Sequence, residues 1–130
     1  MKNNIQMKNL TLNTMMVLFL VFISENSFSQ KKILIQEYDK VIASAKSELD
    51  NMLKNGGALQ LEAAKLNLKG EFVIDMTIHD KGKVQSVFMV SSDAGDVKMQ
   101  NAVKDLVRRI EFNFKVPKDK AYKFQYTFNF

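Results

Sequence analysis

Cysteine is absent from the 130-residue chain, so disulfides, thiolate metal sites, thiol nucleophiles and lipid-modified cysteines have no part in its chemistry. Tryptophan is absent as well, and proline and histidine occur once each, as Pro117 and His79. One proline excludes an extended proline-rich spacer within this sequence. One histidine without cysteine leaves no nucleophile and base pair, and the scattered glycines form no phosphate-cradling loop. Asp75, His79 and Asp80 gather around a turn, but two carboxylates and one imidazole there are commonplace and fall short of the four ligands of a structural metal site. The expectation is a non-enzyme with no catalytic residue, no cofactor and no metal. Single-sign charge runs are also missing: the net charge is +5, and lysines and arginines from Lys31 to Lys123 alternate with acidic residues. Without a basic stripe, nucleic acid is not an expected partner.

The one long apolar run, from Met15 to Ile23, is too short to span a bilayer comfortably. Lys2 and Lys8 precede it, and Ser27 and Ser29 stand three and one residues before a cut ahead of Gln30. Residues 1–29 read as a cleaved secretory signal, which places the mature protein in the periplasm with no stable membrane insertion. The alternative is an uncleaved anchor made of Leu10 to Ile23. Loss of Lys2, Lys8 and Glu25 would lower the net charge from +5 to +4. A domain this small without disulfides has to rest on its core or on a partner.

What is present is strong periodicity. Leu34, Tyr38, Val41, Ile42, Ala45, Leu49, Met52 and Leu53 have helical spacing, predicting an amphipathic helix from Lys32 to Lys54 that Gly56 and Gly57 stop. Ala58 to Ala64 reads as a further helical turn or a loop. Phe72, Ile74, Met76 and Ile78 alternate with Val73, Asp75, Thr77 and His79, which predicts a strand. Leu66 and Leu68 share its phase and allow an earlier start, with Gly70 as a bend. Asp80, Lys81 and Gly82 supply a turn into a second strand from Lys83 to Ser91, whose apolar positions Val84, Val87 and Met89 imply a bulge near Gln85 and Ser86. Asp93, Gly95 and Asp96 offer a loop and an N-cap for a helix from Met99 to Ile110, and Arg108 and Arg109 suit the negative pole of its dipole. Phe112, Phe114 and Pro117 fall in a connecting segment. Tyr122, Phe124, Tyr126, Phe128 and Phe130 then alternate with polar residues in a last strand, and the expectation is that all five rings enter the core.

The hairpin makes the second strand antiparallel to the first, and the helix returns the chain so that the last strand runs parallel to the second. An all-antiparallel sheet then requires the order two, one, three, with the last strand at an edge. Asp75, Thr77, Lys123, Gln125, Thr127 and Asn129 share one face, so the helices belong on the other. Three strands about 4.8 Å apart are narrow for two helices about 9 Å apart, so something is expected to widen the sheet: the stretch around Leu59 and Leu61, a second copy, or a partner segment. The unpaired backbone of the last strand is the obvious place for addition.

In order and spacing, Ala64, Leu66, Leu68 and Gly70, the strand from Phe72 to Ile78, Gly82, Val84, Val87, Met89, Ser91 and Ser92, the helix residues Met99, Ala102, Val103 and Val107, Phe112, and the closing Phe128 and Phe130 resemble the C-terminal domain of TonB. The resemblance covers residues 64–130, leaving 30–63 as an N-terminal helical segment. It implies an α+β fold of ββαβ form: a three-stranded antiparallel sheet in the order 2-1-3 with helices on one face, preceded here by an amphipathic helix. It also implies binding of an extended peptide, from an outer-membrane receptor or another envelope protein, by strand addition. The positions implied for peptide contact are the backbone of Lys123, Phe124, Gln125, Tyr126 and Thr127. Two other readings stay open. One is an energy-transducing component of outer-membrane transport with an uncleaved anchor. The other is a structural homodimer formed by edge pairing or by the Leu34 to Leu53 stripe.

Overall fold

The structure is a computed structural model and describes residues 31–93 and 96–130. The expected signal or anchor, the cut ahead of Gln30 and the loop position Gly95 lie outside the described residues. Lys32–Phe130 forms one unit. Its elements are β1 (Ile33–Leu34), α1 (Tyr38–Leu53), α2 (Ala58–Lys65), β2 (Glu71–His79), β3 (Lys83–Ser92), α3 (Val97–Arg108), β4 (Phe114–Lys115) and β5 (Ala121–Asn129).

β2, β3 and β5 make an antiparallel sheet in the order β3-β2-β5, the order that the hairpin and returning helix require. Phe72, Ile74, Met76 and Ile78 on the central strand are fully buried and join Val41, Ala45 and Leu49 of α1 and Val103, Leu106 and Val107 of α3 in one core. Those helix positions recur three or four residues apart, which stacks them on one face. The helices therefore cover one side of the sheet. Asp96 caps α3 by accepting the Met99 amide at 2.9 Å.

β3 bulges at two places, between the partners of Thr77 and Ile78 and between those of Val73 and Ile74. The first is the bulge that the spacing of Val84 and Val87 implies. It reverses the facing of the strand, bringing Val87 and Met89 opposite the core residues Met76 and Ile74. Phe88 is thereby turned to the opposite face beside Asp75 and stands 68% exposed. The open face is not polar throughout.

Several expectations change. Helix α1 begins at Tyr38 rather than Lys32, because Ile33 and Leu34 pair in parallel with Phe114 and Lys115. Lys32 locks this clamp, donating at 2.7 Å to both the Lys81 carbonyl and the Glu111 carboxylate. The hydrogen bond from Lys32, followed by its charge, holds the Glu111 carboxyl below its ordinary range. Of the two readings of Ala58 to Ala64 the helical one holds, as Ala58–Lys65; β2 starts at Glu71 rather than before Gly70, because the chain turns there, with Asn67 at φ +53° and Gly70, the expected bend, at φ +115°. Of the five last-strand rings, Tyr122, Phe124 and Phe128 are buried, whereas Tyr126 and Phe130 are half-buried. The segment from Phe112 to Pro117 is more than a connection: it contributes Phe112, Phe114 and Val116 to the core, with the Phe112 amide bonded to the Gly82 carbonyl at 2.8 Å and the Val116 amide to the Asp80 carbonyl at 2.8 Å. Among the described residues the sheet stays three strands wide, and the start of α1 instead reaches the rim at β5.

Candidate functional site

Glycine 70 and Phe130 exchange both of their backbone hydrogen bonds, at 3.2 and 3.0 Å. In an antiparallel ladder such pairs recur every second residue, so Phe128, Tyr126, Phe124 and Tyr122 also aim their amides and carbonyls at β2. Lys123, Gln125, Thr127 and Asn129 aim theirs away from the sheet. The five residues expected to contact a peptide thus divide by parity. Phe124 and Tyr126 spend their backbone groups inside the sheet, and Lys123, Gln125 and Thr127 present theirs at its rim. Among the described residues the amides and carbonyls of Gln125 and Thr127 have no partner beyond the strand.

The side chains of this edge are fixed from both faces. On the open face Gln125 Nε2 donates to Asp75 Oδ1 at 3.1 Å, and Lys123 Nζ stands 4.0 Å from Asp75 Oδ2. On the covered face the Tyr126 hydroxyl donates to the Asp50 carboxylate of α1. Burial, reinforced by that bond and the carboxylate charge, raises the Tyr126 phenol above its ordinary range. Tyr126 also packs edge-on against Phe128, with ring centroids 4.8 Å apart. These contacts keep β5 extended without using its outward backbone groups. At the start of the strand the Tyr38 hydroxyl donates to the Lys123 carbonyl at 2.6 Å, and the Tyr122 hydroxyl donates to the Gln36 carbonyl at 2.6 Å.

Sequence periodicity locates this edge but misses Tyr38, which reads as one more member of the α1 stripe although it is 54% exposed. The signal that sets it apart is chemical: it alone in the stripe carries a hydroxyl, a group that seeks a partner when a helix packs against a strand rim. His79, Asp75 and Asp80 do not converge, and among the described residues no group of three or more His, Asp or Glu side chains could hold a metal ion. No helix among the described residues is long and apolar enough to cross a membrane.

No curated protein and no solved structure matches the chain significantly. Residues 61–130, just over half of the chain, match the family model for the Gram-negative bacterial TonB protein C-terminal domain. The match opens inside α2, contains the whole sheet and leaves β1 and α1 before it. Domains of this family are periplasmic protein-interaction modules that meet outer-membrane receptors and envelope proteins, and they perform energy transduction rather than catalysis. With the strand order and the helix-covered face as they stand, this chain belongs to the TonB C-terminal domain family.

Proposed function

We propose that the domain docks an extended segment of an outer-membrane receptor or another envelope protein as a fourth strand along β5. The observation that carries this reading is the pair of outward residues Gln125 and Thr127, whose amides and carbonyls meet no partner among the described residues at the rim of a strand already held extended. Main-chain pairing there would supply affinity, and alternate side chains of the ligand would supply selectivity. In this reading the chain is exported and residues 1–29 are removed ahead of Gln30. Lys2, Lys8, the Met15 to Ile23 run and the spacing of Ser27 and Ser29 support that processing.

The test uses proline. Replacing Gln125 by proline removes an amide that the ladder with β2 does not use, so the sheet tolerates it as edge strands do, while an added strand loses a donor and meets the ring. A photo-crosslinking residue in place of the exposed Thr127 should form an adduct with an extended segment of an outer-membrane protein in cells. Gln125→Pro should abolish the adduct, and Gln125→Ala, which keeps the amide, should not. An adduct that survives Gln125→Pro, or none at all, would overturn the reading.

A further inference from the structure

The rim of β5 is not equally open along its length. Tyr38, the first residue of α1, lays its ring on Tyr122 with centroids 6.1 Å apart and planes inclined by 26°, and its hydroxyl donates to the Lys123 carbonyl at 2.6 Å. The Tyr122 hydroxyl donates in return to the carbonyl of Gln36, two residues before Tyr38. These two reciprocal bonds hold the entry to α1 across the strand at one place. Lys123 is an outward position, so its carbonyl is an acceptor that an added strand would use whether it ran parallel or antiparallel to β5. Among the described residues no comparable bond reaches the outward backbone of Gln125, Thr127 or Asn129.

We propose that Tyr38 is the register stop of the docking edge: by holding the Lys123 carbonyl it confines an added strand to Gln125, Thr127 and Asn129. The inference rests on the strand-addition reading and specifies which part of that edge is used. A ligand that pushed past Gln125 would exchange the tyrosine bond for one of its own at the same carbonyl, a like-for-like replacement. Its gain would be limited to one bond with the Lys123 amide, against lifting the Tyr38 ring from Tyr122 and leaving the hydroxyl to water. Extension is therefore offset, and the favoured ligand ends its pairing at Gln125. The effect is selectivity for a short extended segment in one register, set by a residue that precedes the part of the chain shared with the family.

The test needs a probe and a residue-resolved readout. Peptides are selected from a phage-displayed library of random 12-mers against the full chain purified from the cell envelope, and the tightest is synthesised. Amide hydrogen exchange of the 15N-labelled chain is then followed by NMR with and without it. In the wild type the peptide should protect the amides of Gln125 and Thr127 and leave that of Lys123 exchanging freely. In Tyr38→Phe, which keeps the ring on Tyr122 and removes only the hydroxyl, and in Tyr38→Ala, which removes both, protection should extend to Lys123. Affinity should tighten by about threefold to tenfold, the worth of one net hydrogen bond. Equal protection of Lys123 and Gln125 in the wild type, or no extension in either variant, would overturn the register stop while strand addition stands. A peptide that protects residues away from β5, or a library that yields no binder, would overturn the docking reading and the stop together.

Discussion

Tyr126 shows how one side chain ties the docking strand to the helix beneath it. Its backbone belongs to the sheet, its ring is half-buried against the core, and its hydroxyl reaches the Asp50 carboxylate on α1. A phenol that donates to a carboxylate while partly withdrawn from water resists ionisation, chiefly through burial and then through the bond. The folded state thus keeps this proton at alkaline pH where the unfolded chain, titrating near 10, gives it up. Between those two values the folded state binds more protons, so stability falls as pH rises through the unfolded value and onward, and the contribution is intact below it. Tyr126→Phe should cost about 1.5–3 kcal/mol at neutral pH, the range for a hydrogen bond to a charged acceptor, and should flatten the decline above pH 10. Urea denaturation of both proteins from pH 7 to 11 measures this. Parallel declines in the two proteins would show that Tyr126 does not report the alkaline loss.

At the scale of elements, the hairpin turn and the run from Phe112 to Val116 depend on one glycine. Gly82 adopts φ +79°, and a Cβ at that position would run into the Phe114 carbonyl oxygen and stand 2.9 Å from that of Phe112. Both obstacles are backbone, which cannot rotate away as a side-chain tip can. Gly82→Ala should therefore destabilise the fold by about 2–4 kcal/mol, combining a left-handed backbone with a clash, and lower the urea midpoint without altering the slope. A loss below 0.5 kcal/mol would show that the turn and the β4 run separate easily. The same pair of elements marks the limit of what the residues disclose in advance. Strands β2 and β5 are legible because one face of each is apolar, and their order follows from connection geometry. The bulge near Gln85 is legible because Val84 and Val87 break the alternation. Phe112, Phe114 and Val116 alternate as well, yet the run is too short to separate from a loop, and its burial depends on Gly82 and Ile33, distant in sequence. Ile33 and Leu34 fit a helical stripe equally well until their partners Phe114 and Lys115 are known. The edge position of the last strand is readable from sequence, but the parity that turns Lys123, Gln125 and Thr127 outward comes from the register with β2, and the bond from Tyr38 to Lys123 is a contact across 85 positions that no local pattern encodes.

For the whole molecule, what matters is where the cooperative unit begins. The family match opens at residue 61, but the core does not. Val41, Ala45 and Leu49 of α1 are 0% exposed and belong to the same cluster as the inner face of β2 and β5. Withdrawing those three side chains from the core would remove about 4–7 kcal/mol of burial. A domain of this size has only about 5–15 kcal/mol in total. Without α1 the Tyr126 hydroxyl also loses Asp50, the Asn113 amide loses the Glu48 carboxylate, and no disulfide offsets the deficit. A fragment of residues 61–130 should therefore lack a cooperative thermal transition and give a poorly dispersed amide spectrum, whereas a chain from residue 31 onward should melt in one step by far-UV and tyrosine near-UV circular dichroism alike. Cooperative melting of the shorter fragment would show that α1 rests on a domain already complete. A failure to fold would mean that the helix carrying Tyr38 cannot be shed, so the docking edge always has α1 beside it and its register stop is built into the fold rather than added to it.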